Sequence, residues 1–212
     1  MKLEQEFDKF RFTIYNNRLA ILHLRRCQVI QLWQKIKEET LITDKYGKEV
    51  RRAIFKNPIN GQEEEYILFV QRDWSTVLPV TRDGMVVTIF EYKQGCNKIV
   101  HNLPGGTADF EKELPEEVAK RELLEETGYQ TERLIFLGPP LWISSRNSWT
   151  RFYPFLAINC DKVKEVKQDE LEIIKTKLFP LKRWVEMART EIEEPSAVVT
   201  TFRALPHLSQ ML

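Results

Sequence analysis

The segment from Leu103 to Tyr129 places the strongest constraint on what this chain can fold into. It opens with Leu-Pro-Gly-Gly, contains seven glutamates between Glu111 and Glu126, and reaches a glycine at position 128. Pro115 suits the first turn of a helix, because its missing N–H has no helical partner there. Gly128 is typical of the residue just beyond a helix end. The spacing therefore predicts a helix from Pro115 to Thr127.

The glutamates of this helix are not evenly distributed. At about 100° per residue, Glu122, Glu125 and Glu126 project from one side, and Val118 lies on the same side. Like charges at i,i+4 destabilise a helix by a few tenths of a kcal/mol, and a hard cation such as Mg²⁺ removes that repulsion. A solvated helix of mixed charge is the commoner interpretation of such a run. Here the adjoining Gly-Gly turn, which lets the backbone approach a ligand closely, favours a cation site.

The rest of the chain predicts a mixed α/β domain. Arg18–Glu39 predicts a helix in its first half and extended structure near Trp33, and Asp83-Gly84 predicts a hairpin turn. Predicted strands are 66–70, 77–81, 85–92, 99–103, 134–137, 152–159 and 173–178, and further helices are 181–190 and 196–208. We expect an N-terminal extension over residues 1–62, a helix followed by strands, and a main domain over residues 63–212.

Composition excludes several classes of protein. Lys and Arg number 32 against 31 Asp and Glu, a net charge of +1, which argues against binding nucleic acid or anionic lipid by bulk electrostatics. The apolar runs are far shorter than the roughly 20 residues that span a bilayer. Three widely spaced cysteines suggest neither a disulfide framework nor a zinc site. Because acids occupy the N-terminus where a signal peptide is apolar, we expect a cytoplasmic protein.

The glutamate helix resembles the signature of the Nudix hydrolase family. The match is Glu113, then seven residues, then Arg121-Glu122-Leu123-Leu124-Glu125-Glu126-Thr127-Gly128-Tyr129. One departure is that six residues rather than five separate Gly106 from Glu113, so the loop Thr107–Lys112 is one residue longer. Val77–Thr81 and Leu103–Gly106 are similar to the ADP-ribose/ADP-sugar pyrophosphatase branch. The resemblance covers about residues 32–205 and implies an α/β/α sandwich around a mixed β-sheet.

The resemblance also implies an activity. Members hydrolyse a nucleoside diphosphate linked to another moiety, here a sugar with ADP-ribose foremost, into a nucleoside monophosphate and a sugar phosphate, using Mg²⁺ or Mn²⁺. Glu122 and Glu126 are the implied principal metal ligands. The further implied ligands are Glu125 and the carbonyl of Gly105 or Gly106.

Other catalytic roles are implied with alternatives. Arg121 is expected to reach Glu113 and hold the loop against the helix. The general base of this branch lies beyond the motif, so Glu172 is the first candidate and Glu170 the second. In other branches the base lies on the helix itself, and Glu122 would then take the role.

Substrate contacts are implied at three positions. Trp33 resembles a base-stacking aromatic, with a core tryptophan as the alternative. Lys93 stands where the branch often has an arginine that touches phosphate. Arg146 is a candidate for phosphate or carboxylate, with a plain exposed arginine as the alternative. Ser145 replaces a proline usual in ADP-ribose pyrophosphatases, which weakens the assignment of that substrate.

Two further expectations concern partners and alternatives. The resemblance implies a homodimer with Trp33–Val70 at or near its interface. A nucleotide sensor that keeps the Nudix fold is the second hypothesis, but retention of every motif acid favours an enzyme. Within the enzyme class, nucleoside triphosphates, dinucleoside polyphosphates and RNA 5′ ends are other substrates; the near-neutral charge argues against RNA.

Overall fold

The computed structural model of this chain describes residues 30–108, 113–166 and 174–211. The helix predicted in the first half of Arg18–Glu39 lies outside these ranges, as do Glu170, Glu172 and residues 109–112 of the longer loop. The extended structure predicted near Trp33 is confirmed by a strand that begins at Gln34.

The N-terminal strands form a sheet of their own. It consists of β1 (Gln34–Thr43), β2 (Glu49–Lys56) and β3 (Glu63–Val70), antiparallel and in the order β1-β2-β3. β2 pairs with β3 along its whole length, from Glu49 opposite Val70 to Lys56 opposite Glu63. The domain division expected after residue 62 thus falls between two fully paired strands, so β3 belongs to the N-terminal sheet by its hydrogen bonds.

A larger mixed sheet follows. Within the described residues its central order is β10-β11-β4-β5-β12, with β11 parallel to β4 and β12 antiparallel to β5. The hairpin predicted at Asp83-Gly84 is confirmed between β4 and β5. The strands are β4 (Trp74–Thr81), β5 (Met85–Lys93), β6 (Lys98–Asn102), β7 (Gly105–Thr107), β8 (Tyr129–Gln130), β9 (Arg133–Phe136), β10 (Leu141–Trp142), β11 (Arg151–Lys162) and β12 (Ile174–Pro180).

Helices cover both faces of this sheet. Neighbouring strand residues point to opposite faces, so Val77 packs with α1 (Pro115–Thr127). Leu78, on the opposite face, packs in a second core with α2 (Leu181–Thr190) and α3 (Pro195–Ala204). The expected α/β/α sandwich is therefore confirmed.

The structure confirms the predicted bounds of α1, Pro115–Thr127, and shortens one other predicted helix. The helix predicted to reach Leu208 ends at Ala204, because Pro206 lacks the N–H that an α-helix needs. A 3₁₀ turn, Leu205–His207, follows it. In α1, Leu123 is fully buried beside Ala119, so the core side of the helix includes Leu123 as well as Val118. No helix in the described ranges is long and apolar enough to cross a membrane.

The two central strands diverge at the place where the Pro-Gly-Gly turn lies. β4 pairs with β5 at Val80 opposite Val86, but at its other end, Trp74–Thr76, it pairs with β7. β5 meanwhile pairs with β6 from Ile89 to Lys93. The link Leu103-Pro104 crosses this fork, and the Val77 N–H donates to the Pro104 carbonyl at 3.0 Å. This arrangement places Gly105 and Gly106 beside α1.

Candidate active site

Helix α1 has well-defined ends. At its start the Leu114 N–H donates to the Glu117 carboxylate at 2.9 Å, which satisfies one backbone donor that the first turn leaves free. At its end Gly128 has φ +75°, and its N–H donates to the Leu124 carbonyl at 3.0 Å. A Cβ at Gly128 would lie 2.1 Å from the Lys164 carbonyl oxygen. Both the left-handed backbone and this close approach require glycine, so the end of the acidic helix is fixed.

The three motif acids differ in their surroundings. Glu126 is 8% exposed, and its Oε2 accepts a hydrogen bond from the Gly105 N–H at 2.9 Å. The Glu122 side chain is 15% exposed and the Glu125 side chain 52%. Two carboxylates are therefore held beside the glycine turn, and the third projects into solvent.

Gly106 makes the position of Glu122 possible. A Cβ at residue 106 would lie 2.2 Å from Glu122 Oε1 and 2.5 Å from its carboxyl carbon, separations that real Cβ atoms do not show. Only glycine therefore lets β7 run directly against this carboxylate. The Gly-Gly pair thus contributes a donor to Glu126 through Gly105 and room for Glu122 through Gly106.

Arg121 links the helix to the loop before it. Its guanidinium donates to the Glu113 carboxylate at 2.9 and 3.1 Å and to the Thr107 carbonyl at 2.9 Å. It also donates to Glu122 at 2.8 Å and to Glu125 at 3.1 Å. These acids, Glu113 first, raise the pKa of Arg121 further above its already high value. The predicted contact with Glu113 is present, while a part for either residue in catalysis stays a prediction.

The donor set suits a hard divalent cation, but its members are not gathered in this arrangement. Carboxylate oxygens are the ligands that Mg²⁺ and Mn²⁺ prefer, and Glu122 and Glu126 present them beside the glycine turn. Within the described ranges, however, no group of three or more His, Cys, Asp or Glu is arranged to hold a metal ion. Arg121 bonds both Glu122 and Glu125, so a cation that used both would have to share them with Arg121 or displace it.

The first two candidates for the general base, Glu172 and Glu170, fall in residues 167–173, outside the described ranges, but described residues on either side of that segment lie close to α1. On one side the Lys164 N–H donates to the Gly128 carbonyl at 3.3 Å. On the other side the Thr176 hydroxyl donates to the Glu126 carbonyl at 3.3 Å. Lys164 and Thr176, which flank the segment with Glu170 and Glu172, therefore both lie beside the end of the acidic helix.

Two of the predicted substrate residues share a cavity. Trp33 and Arg146 both line an open cavity of about 610 Å³ between the N-terminal sheet and the 145–149 loop. Trp33 is 38% exposed and meets Tyr66 edge to face at 6.2 Å between ring centroids. The remaining lining residues are Phe55, Tyr66, Leu68, Ser145, Ser148 and Trp149. Glu122, Glu125 and Glu126 are not part of that lining.

The third predicted substrate residue, Lys93, is engaged elsewhere. Its ammonium contacts the Glu91 carboxylate at 2.6 Å, and the Glu91 side chain is only 5% exposed. The sequence prediction omitted Glu91. The signal that identifies it is the alternation along β5, in which Val87, Ile89 and Glu91 share one face. The sequence prediction also gave Trp149 a structural and not a substrate role, because Trp149 lies more than a hundred residues from its cavity neighbour Trp33.

Fold and motif together define a class, and comparison with known proteins names it. The Nudix domain family matches residues 72–200, more than half of the chain. The chain therefore belongs to the Nudix hydrolase family. No curated protein matches the sequence.

Solved structures share the fold. A crystal structure of an ADP compounds hydrolase superposes with a TM-score of 0.74 at 20% identity, covering 86% of this chain and 97% of that one. At this identity the likeness establishes the fold alone. The superposition covers more of this chain than residues 72–200, so the shared fold extends beyond the matched Nudix domain.

Proposed function

We propose that this chain is a divalent-metal-dependent pyrophosphatase that cleaves a nucleoside diphosphate linked to a sugar, with ADP-ribose as the foremost substrate. The observation that carries this proposal is the bond from the Gly105 amide to the buried Glu126, with Glu122 packed against Gly106 one helical turn away. Diphosphate cleavage requires neutralisation of phosphate oxygens and delivery of a water. Two carboxylates held beside a glycine turn support that chemistry.

The proposed metal ligands are residues of this same arrangement. A bound Mg²⁺ or Mn²⁺ supplies Lewis-acid stabilisation of the diphosphate oxygens. Glu122 and Glu126 are proposed as principal ligands, Glu125 as a further one, and the carbonyl of Gly105 or Gly106 as another. Arg121 keeps the helix and the preceding loop together, because its guanidinium bonds Glu122 and the Thr107 carbonyl at the same time.

The reaction needs a base as well as a cation. A water oxygen adds to one phosphorus, the bond from that phosphorus to the bridging oxygen breaks, and the two products leave as phosphate monoesters. The proton lost by the water passes to a carboxylate. We propose Glu172 for this role and Glu170 as the second candidate, and Glu122 takes it if the base lies on the helix. The contacts of Lys164 and Thr176, on either side of this segment, with the end of α1 support a base from this part of the chain.

Matched substitutions separate the candidate bases. Glu172→Gln removes the proton acceptor at nearly constant size, so we expect kcat to fall at least tenfold, which is about 1.4 kcal/mol of barrier. Glu170→Gln is the control on the same segment and should cost less. If the two variants lose activity in the reverse order, Glu170 is the base; if neither loses tenfold, the base lies elsewhere, with Glu122 next.

The cavity lined by Trp33 supports a substrate that carries a nucleobase. Stacking of a base on an aromatic side chain is worth about 1–3 kcal/mol. Arg146 lines the same cavity and supplies a cation for a phosphate or carboxylate. Lys93 remains a candidate for a phosphate contact, as a point charge rather than a bidentate donor. The fold shared with an ADP compounds hydrolase supports testing ADP compounds first.

The proposed assembly is a homodimer. The N-terminal sheet exposes Ile42, Ile67 and Phe69, which are 63, 42 and 52% exposed. Ile42 lies opposite Val50, and Val50 lies opposite Phe69. Ile42, Val50 and Phe69 therefore form a cross-strand row. An apolar row on an open sheet face supports contact with a second copy.

A substrate panel tests the proposed activity. ADP-ribose, other nucleoside diphosphate sugars, dinucleoside polyphosphates and nucleoside triphosphates are incubated with the protein and Mg²⁺ or Mn²⁺, and the products are separated. We expect ADP-ribose to yield AMP and ribose 5-phosphate, with no turnover when a chelator is present. Turnover confined to triphosphates would defeat the sugar assignment. Tight binding of ADP-ribose without turnover would instead support the sensor.

A further inference from the structure

A buried acid outside the Nudix motif lies at the fork between the central strands. Glu91 is near the end of β5 and is only 4% exposed. It follows Val87 and Ile89 at alternate positions, so it shares the sheet face that packs against α1. A buried carboxylate is stable only with charged or hydrogen-bonding partners, because the loss of hydration is costly.

Each oxygen of Glu91 has such a partner. Oε2 contacts the Lys93 ammonium at 2.6 Å, and Oε1 accepts a hydrogen bond from the Asn102 side-chain amide at 3.0 Å. Asn102 is itself buried, and its side-chain oxygen accepts from the Leu103 N–H at 2.8 Å. Asn102 therefore uses both ends of its amide, one toward Glu91 and one toward the backbone.

The backbone atom that Asn102 holds begins the Pro-Gly-Gly turn. Leu103 is fixed by Asn102, Pro104 accepts from the Val77 N–H at 3.0 Å, and Gly105 donates to Glu126 at 2.9 Å. Three consecutive residues are thus held by three different elements. The side chain that makes the first of these contacts, Asn102, is the one bonded to Glu91.

We propose that Glu91 is a positioning residue that sets the Leu103–Gly106 backbone against Glu126 through Asn102. The same carboxylate contacts Lys93, so it links the glycine turn to a cation at the end of β5. The inference rests on the proposed function, in which this turn and Glu126 form the catalytic centre. Outer partners of this kind change metal affinity or activity by about 10–100-fold when they are removed.

Four variants isolate this role. Glu91→Ala removes both contacts, and Asn102→Ala removes the bond to Leu103 while it leaves the Glu91–Lys93 pair in place. Glu91→Gln keeps an oxygen acceptor for Asn102 but carries no charge for Lys93. Glu193→Gln is the matched control, because it removes an acid paired to a lysine, Lys98, at an exposed site. The readouts are amide hydrogen exchange at Leu103 and Gly105, Mn²⁺ affinity, and kcat and KM for ADP-ribose.

We expect Glu91→Ala and Asn102→Ala to speed exchange at Leu103 and Gly105. They should also lower both Mn²⁺ affinity and kcat by about 10–100-fold, with KM changed less than about threefold. Glu91→Gln should recover at least about threefold in kcat relative to Glu91→Ala, because the Asn102 bond is restored. Glu193→Gln should match the wild type in every readout.

Unchanged exchange and unchanged Mn²⁺ affinity in Asn102→Ala would overturn the inference. So would a Glu91→Gln variant as impaired as Glu91→Ala, because the charge rather than the Asn102 contact would then matter. Asn102→Ala and Glu91→Gln decide the question if Glu91→Ala does not fold. A wild type that hydrolyses no nucleoside diphosphate sugar would refute the proposed function, while the exchange and Mn²⁺ measurements would still decide the inference.

Discussion

At the scale of single residues, Glu126 combines two properties that conflict in most proteins. It is 8% exposed, yet it lies four residues from a second acid, Glu122, on the same helix. The Gly105 N–H offsets part of the cost of burying this charge, because a hydrogen bond to the charged form stabilises it. A buried acid beside another acid is stable with a cation nearby, which is why Glu126 is the most informative residue to substitute.

Glu126→Gln should abolish hydrolysis and preserve the fold. Glutamine keeps an oxygen for the Gly105 N–H but loses the charge that a cation needs, so we expect kcat to fall by about 10³, or about 4 kcal/mol of barrier. The free energy of unfolding without metal should change by less than about 1 kcal/mol. Steady-state kinetics and urea unfolding measure the two quantities. Glu116→Gln, exposed on the same helix, is the control, and near-normal rates in Glu126→Gln would refute its role as a ligand.

A second residue-scale effect concerns His101, which lies outside the candidate site. Its ring stacks on Phe90 at 4.1 Å between centroids, and its Nε2 lies 2.8 Å from the Thr88 hydroxyl oxygen. The Thr88 hydroxyl donates to the Lys177 carbonyl, so the imidazole nitrogen must be the donor of the pair. Burial, and then the charge of Lys177, lower the pKa of His101 from 6.5 to about 4.

This shift makes stability depend on pH in a defined direction. Between about pH 6.5 and 4 the unfolded chain binds a proton at His101 that the folded protein does not, so the free energy of unfolding falls as the pH falls. One group contributes at most about 1.4 kcal/mol per pH unit. Urea unfolding at pH 7, 5.5 and 4.5 should show this slope in the wild type and a smaller one in His101→Gln. Equal slopes in the two proteins would contradict the assignment.

At the scale of elements, the approach of β7 to α1 depends on the absence of a side chain at residue 106. Gly106→Ala would place a Cβ 2.2 Å from Glu122 Oε1, so the carboxylate or the strand must move. We expect kcat to fall by about 10²-fold, because displacement of a catalytic group by about 1 Å has that effect. Gly95→Ala is a matched control, since a Cβ there meets nothing within 4 Å. Equal activity in both variants would show that Glu122 can move without loss.

The elements differ in how far the sequence predicts them, for physical reasons. Helix α1 can be predicted to the residue because Pro115 and Gly128 act locally on the backbone at its two ends. The contact of Arg121 with Glu113 can be anticipated from charge and nearness along the chain. The fork between β4 and β5 cannot, because it arises from pairings with β7 and β6 that depend on the whole sheet.

The same distinction applies to the candidate site. The motif acids can be identified from spacing, but their graded exposure depends on how α1 packs. The partners of Glu91 are Lys93, two residues away, and Asn102, which β5–β6 pairing brings close. The cavity of Trp33 and Arg146 joins residues far apart in sequence. Proximity of this kind follows from the tertiary fold, which a motif does not encode.

At the scale of the whole molecule, the two sheets are joined by few but specific contacts. The Phe69 N–H donates to the Asn147 carbonyl at 2.8 Å, and Phe69 forms an isolated parallel bridge with Ser148. The Gln71 N–H donates to the Thr150 hydroxyl at 3.3 Å. The loop that carries Arg146 is thus tied to the end of β3. Any movement of the N-terminal sheet would therefore alter the cavity that Trp33 and Arg146 share.

In the proposed homodimer, that coupling would link the oligomeric state to the proposed activity. Phe69 has its backbone bonded to the 145–149 loop and its side chain 52% exposed at the end of the row with Ile42 and Val50. If this row packs against a second copy, Phe69→Glu buries a charge in the interface. The substitution should then weaken the free energy of dimer association by several kcal/mol. Ile99→Glu, at a 72% exposed position on the larger sheet, is the control. Light scattering at micromolar concentration should give a dimer for the wild type and the control and a monomer for Phe69→Glu. The KM of Phe69→Glu should also rise, because the N-terminal sheet that lines the Trp33 cavity is no longer held by the partner copy. A monomeric wild type would refute the dimer, and a dimeric Phe69→Glu would place the interface elsewhere.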